Sequence, residues 1–256
     1  MNDEELRKYL EFYRDLGVTS VYLRTAPAPP AETPVPPPAP AAIPKLETPK
    51  VESMFESIEL PGLEPANDKL EAIRADIGDC KRCRLCEARN KIVFGSGNEQ
   101  SRLVFVGEGP GADEDASGIP FVGRAGQLLT QMIDNTCKKE GIPIERKDVY
   151  ICNVVKCRPP ENRTPMPDEM EVCGQFLARQ LTVIKPKAIC ALGSTAAKAL
   201  LGTKDGVMKL RGNWTKWRDI PVMVTYHPSY LLRPYNQNAK REAWEDLKKV
   251  LHYVYD

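Results

Sequence analysis

Four short apolar runs separated by segments of helical spacing constrain the fold more than any other feature. They are RLVFVG (102–107), VYICNVV (149–155), KAICALG (187–193) and IPVMVTYH (220–227). Each is too continuously apolar for a strand with one wet face, so each reads as a strand buried on both sides. Between and after them, 126–139, 168–184, 194–201 and 239–255 carry apolar residues at helical spacing. Strands alternating with helices imply βαβ units, hence an α/β fold with a mostly parallel sheet covered on both faces. Working residues in such sheets gather at the carboxyl ends of the strands. That rule selects residues 107–111, Asn153, Gly193 and His227.

The remainder of the 256-residue chain divides by composition. Residues 25–50 hold ten prolines, and 12 of the 23 prolines fall in residues 1–66. Such a stretch cannot make a helix or a ladder and is expected to be an extended linker. Before it, Leu6, Tyr9, Leu10, Tyr13 and Leu16 line one helical face, so residues 1–24 are either a frayed extension or a tethered docking helix for another protein. The expected organisation is therefore 1–24 amphipathic segment, 25–66 flexible linker and 67–256 folded domain. Charge follows the same division. The net +1 is the sum of 6 Lys/Arg against 11 Asp/Glu in residues 1–66 and 30 against 24 in residues 67–256, that is −5 and +6. A basic domain suits a polyanionic partner, which the average conceals. No apolar run is long enough to span a membrane, and the polar start MNDEELRKYL is unlike a secretory signal, so a cytoplasmic location is expected.

Eight cysteines in a chain without an export signal read as thiols or metal ligands rather than disulfides. Cys137, Cys152 and Cys190 sit in apolar patterns and read as core. Cys80, Cys83 and Cys86 have two residues between each and the next, and Cys157 and Cys173 form a second pair. The two groups could converge around a zinc ion or an iron–sulfur cube, and spacing leaves Cys86 undecided. The run from Gly107 to Ala112 matches a dinucleotide fingerprint in form only. Pro110 and the acids Asp113, Glu114 and Asp115 are expected to replace the helix start that would receive a pyrophosphate. A Gly-Pro-Gly loop instead suits a small neutral ligand, with Phe121 as a stacking face or an ordinary core aromatic. His227 ends a strand, and Asn153 ends another before a basic, Pro-stiffened loop.

Taken together, GEGPG, FVGRAGQLL, NVVKCRPPENR and HPSYLLR resemble the motif set of the family 4 uracil-DNA glycosylases, in that family's order, from about residue 79 to the end. The resemblance implies a three-layer αβα fold with a central four-stranded parallel sheet. It implies a [4Fe–4S] cluster on Cys80, Cys83, Cys157 and Cys173, with Cys86 a bystander. It implies uracil excision from DNA in base-excision repair, by a monomer. Phe121 would stack on the flipped base, Asn153 would read its O4/N3 edge, and Gly109 and Pro110 would line the pocket. His227 would stabilise charge on O2, Glu108 would position water or orient its loop, and Glu114 would exclude a thymine methyl group. Arg163, Tyr230, Leu231, Leu232 and Arg233 would contact DNA, with Leu231 or Leu232 filling the space left by the base. The basic insertion of the covalently trapping class is absent, so no covalent adduct with DNA is expected. An iron–sulfur DNA-binding protein without glycosylase activity and a zinc protein also fit the cysteines, but neither gives Phe121, Asn153 and His227 a task.

Overall fold

The computed structural model describes residues 68–233 and 236–256. The expectations for residues 1–24 and 25–66 lie outside the described residues. In chain order the elements are α1 (Leu70–Ile77), β1 (Ser96–Gly97), β2 (Leu103–Gly107), α2 (Ala112–Ser117), α3 (Arg124–Glu140), β3 (Tyr150–Asn153) and α4 (Pro167–Ile184). They continue with β4 (Ala188–Leu192), α5 (Gly193–Leu201), α6 (Val207–Leu210), β5 (Trp214–Trp217), β6 (Ile220–Thr225), α7 (Pro228–Leu231) and α8 (Gln237–Tyr255).

The four apolar runs are the four parallel strands, but the sheet has six, in the order β1-β3-β2-β4-β6-β5. β3, β2, β4 and β6 run parallel, with Val106 opposite Cys152 and Leu103 opposite Ala188 in the central pairs. β1 and β5 add an antiparallel strand at each edge, which corrects the expectation of four strands. The edges escaped prediction because β1 is two residues long and β5, WTKW, mixes polar with aromatic residues and is part-exposed.

Every residue of β2, β3 and β4 is buried, and successive side chains point to opposite faces. On one face Val104, Val106 and Cys152 pack with Ile73 and Ile77 of α1 and with Phe176, Leu177 and Leu181 of α4. On the other, Leu103, Phe105 and Ile151 pack with Leu129 and Ile133 of α3 and Leu247, Val250 and Leu251 of α8. These two cores make the three αβα layers, each buried Leu, Ile or Phe contributing about 1.5–3 kcal/mol. Pro167 opens α4 at its first turn, and the Glu169 carboxylate accepts from the Met166 amide at 2.8 Å.

The chain leaves β2 to form β3 on one side, then crosses back to place β4 on the other. The strand order therefore reverses between β2 and β4, and the crevice beyond their carboxyl ends is where ligands bind in open α/β sheets.

Candidate active site

The loop leaving β2 sets the floor of that crevice. Gly107 must be glycine, because a Cβ there would overlap both Asn153 Oδ1 and the Phe121 ring. That one clash shows that Phe121, from the loop before α3, and Asn153, the last residue of β3, meet above Gly107. Phe121 is buried and held at φ 55°, a backbone conformation that bulky residues rarely adopt. Glu114 holds it there. Its Oε1 accepts from the amides of Val122 and Gly123 at 2.9 Å each, and its Oε2 accepts from the Gly111 amide at 3.1 Å.

One expectation changes at this point. A helix does begin beside the loop, α2 at Ala112, where Pro110 and the acids were expected to replace one. A pyrophosphate is still shut out, because Glu114 already takes the amides that would cradle it. Asp115, fully buried, accepts from the Asn90 amide at 2.8 Å. Both oxygens of Glu114 are thus spent on backbone, so it shapes the pocket by clamping two loops.

Asn153 is 1% exposed, and its Oδ1 is one of two buried side-chain polar atoms among the described residues without a hydrogen-bond partner. An unpaired buried acceptor costs about 1–3 kcal/mol, so its place beside Phe121 over Gly107 points to a donor on a ligand. The other, Thr136 Oγ1, lies on α3. Lys156, fully buried, fixes the Asn153 backbone: its ammonium donates to the Asn153 carbonyl at 2.8 Å and to Gln180 Oε1 at 2.6 Å.

His227 follows β6, its ring centroid 5.7 Å from that of Phe121. Gly193, at φ 90° at the start of α5, lets the helix approach, since a Cβ there would meet His227 Cβ at 3.0 Å. Burial pushes the His227 imidazole down to about 4, with the Glu114 charge only partly opposing. The ring is therefore neutral near pH 7. Its Nδ1 accepts from the Ser229 amide at 3.2 Å, which places the proton on Nε2 and makes Nε2–H a donor.

Glu108 is half-buried on the same loop, and its Oε2 accepts from the Thr195 hydroxyl. Gly109 packs against Val155, where a Cβ would fall 2.8 Å from Cγ2, and Pro110 is buried beside it. Below the far side of β3, Cys80, Cys83, Cys86, Cys157 and Cys173 line one cavity together with Arg89 and Lys156. N–H groups point at three of the sulfurs: Arg82 at Cys80 (3.9 Å), Arg89 at Cys157 (3.6 Å) and the Lys156 amide at Cys173 (3.3 Å). Thiolates of an iron–sulfur cluster are held in such surroundings, so the donor set fits that group. Burial pushes the Cys157 thiol up to about 12 despite Arg89, and burial likewise raises Cys173 and Cys83. Metal binding there must displace protons. No three His, Cys, Asp or Glu side chains among the described residues close around a single ion.

The chain from 94 to 248 matches the family model of the uracil DNA glycosylase superfamily. It is 46% identical over 187 residues to the type-4 uracil-DNA glycosylase of Thermotoga maritima, covering 72% of this chain and 94% of that protein. This chain belongs to the uracil DNA glycosylase superfamily. Within it, the type-4 enzyme of Sulfurisphaera tokodaii is 42% identical, over 72% of this chain and 84% of that one. The type-5 enzyme of Pyrobaculum aerophilum is 31% identical, over 60% and 71% respectively. In this superfamily member the crevice brings Glu108, Gly109, Pro110, Phe121, Asn153 and His227 to one rim of the sheet.

The residues expected to touch DNA fare unevenly. Tyr230 is 39% exposed and stacks on Tyr226 at 5.4 Å, and the Arg233 guanidinium lies over the Tyr230 ring. Leu231 is 1% exposed and packs with Tyr226, Ala239 and Ala243, so it is a core residue and Leu232, half-buried, is the leucine at the surface. Of the two leucines expected at the DNA, Leu231 is turned inward because α7 is helical: Pro228 and Leu231, three residues apart, face the core while Ser229 and Tyr230 face outward. Arg163 is engaged by Glu169 at 2.6 and 2.9 Å and by the Thr164 carbonyl at 3.1 Å. Sequence reasoning missed Thr195 and Lys156 altogether. Cys86, which spacing left undecided, lines the same cysteine cavity.

Proposed function

We infer that this chain is a uracil-DNA glycosylase that flips uracil out of DNA and hydrolyses its N-glycosidic bond, leaving an abasic site for base-excision repair. The observation that carries the reading is the unpaired, buried Oδ1 of Asn153, which meets the Phe121 ring above Gly107, with the His227 ring 5.7 Å from that of Phe121. A base enters such a pocket only after leaving the stack. Phe121 then lies against its ring, Asn153 Oδ1 accepts from N3–H, and the Asn153 amide donates to O4. Cytosine presents a lone pair at N3 and donors at C4, which would leave both Asn153 groups opposed.

Cleavage of the C1′–N1 bond sends its electron pair to the base and leaves positive charge on the sugar. His227 Nε2–H donates to O2 as negative charge collects there, a stabilisation greatest in the transition state. The neutral ring suits this task, since it donates without giving up its proton. Glu108 holds the water that adds to C1′ and receives its proton. Cys80, Cys83, Cys157 and Cys173 would hold a [4Fe–4S] cluster, which when bound supplies a covalent brace between the segment at 80–83 and the two cysteines beyond β3. The work of the enzyme falls in the cytoplasm, on the nucleoid, as a monomer.

Incubating the protein with a single-uracil oligonucleotide, then cleaving abasic sites with alkali, tests the reading. Strand scission at uracil and none at cytosine supports it. Intact strands from protein showing visible iron–sulfur absorbance would end it.

A further inference from the structure

The crevice lies where the strand order reverses, so two elements that are distant in sequence face each other across it: the loop after β2 and the first turn of α5. A hydrogen bond joins them there. Thr195, 3% exposed, donates from Oγ1 to Glu108 Oε2. Few side-chain pairs are better suited to fix an angle. The terminal torsion of a glutamate is broad, so a carboxylate alone does not hold its plane. A β-branched threonine on a helix is restricted to two χ1 rotamers, and burial at 3% exposure selects between them. With Oε2 committed to Thr195, Oε1 is the oxygen left to hold a water.

We propose that Thr195 is a positioning residue for hydrolysis, its hydroxyl setting the plane of the Glu108 carboxylate so that Oε1 presents the attacking water to C1′. The proposal rests on the assignment of water-holding to Glu108. It explains why a polar side chain is buried on the first turn of α5 beside Ala196 and Ala197, which pack into the core. It also gives the switch point between β2 and β4 a chemical task beyond enclosing the base.

Steady-state excision kinetics of the cluster-loaded full chain test it in a double-mutant cycle. Thr195→Val, nearly the same in shape, is expected to lower kcat about tenfold, with KM within about twofold of wild type, since a charge-assisted hydrogen bond is lost and base recognition is not. Thr195→Ser should restore kcat, and Thr195→Val should have no further effect in a Glu108→Ala background. Thermal melting of each variant reports folding, with Thr195→Ala as a second truncation should the valine variant melt early. Wild-type kcat in Thr195→Val would overturn the proposal. So would an equal loss in the Glu108→Ala background, which would leave the role of Glu108 standing and show Thr195 acting on something else. Full activity in Glu108→Ala would remove the carboxylate assignment itself, and the proposal with it.

Discussion

At the scale of single residues the site depends on two polar groups whose states are set by burial. Asn153→Asp keeps an acceptor for N3–H but loses the donor to O4 and adds a charge facing a base that is turning anionic. Its kcat/KM on uracil DNA is expected to fall more than about a hundredfold, with the native circular dichroism retained and a lowered melting temperature from the buried charge. His227 is the pH-sensitive residue. Its folded pKa of about 4 lies below the ordinary 6.5. Between those values the unfolded chain binds more protons than the folded one, so the contribution of His227 to stability is complete above 6.5 and fades as pH falls towards 4. Single-turnover rates should accordingly stay flat from about pH 8 to pH 6, with no inflection at the ordinary histidine value. An inflection near 6.5 would mean that the ring is more solvated than its packing indicates. Asn153 and His227 were legible in sequence because each ends an apolar run. Thr195 was not, since a threonine on a helix has no distinctive pattern and its partner lies 87 residues away.

At the scale of elements, the turn at 121–123 is held by a carboxylate from a helix of only six residues. Glu114→Gln turns an acceptor into an N–H group facing backbone donors. It should cost about 1–3 kcal/mol in denaturant unfolding. The same variant should raise KM for uracil DNA more than it lowers kcat, because Phe121 loses its seat while His227 keeps its own. The four parallel strands and the long helices were readable because burial on both faces erases polar alternation and leaves continuous apolar runs. α2 was hidden by its composition: the run GADEDAS is short, acidic and preceded by Pro110, which favours a loop on local grounds. What makes it a helix is tertiary. Asp115 and Glu114 satisfy amides elsewhere in the chain, and no local pattern reports that.

At the scale of the whole molecule, the cysteine cavity brings the segment before β1 against the segment after β3. Cys157→Ser or Cys173→Ser should abolish visible iron–sulfur absorbance and lower the melting temperature, whereas Cys86→Ser is expected to keep the colour. The basic domain is separated in sequence from its acidic extension, so deleting residues 1–66 should leave excision from naked DNA intact while removing any protein captured through Leu6, Tyr9, Leu10, Tyr13 and Leu16. Asn153, described above as an unpaired acceptor, also has a thermodynamic consequence for the free protein. No side chain or backbone group of the described residues pairs with this oxygen, so a small molecule with the right N–H gains a hydrogen bond that the protein itself does not supply. Free uracil alone, with no DNA, should therefore raise the melting temperature by a few degrees at saturating concentration, and cytosine should not. A heating curve then becomes a reader of nucleobases, and its uracil response marks the product as an inhibitor that competes with the next damaged base.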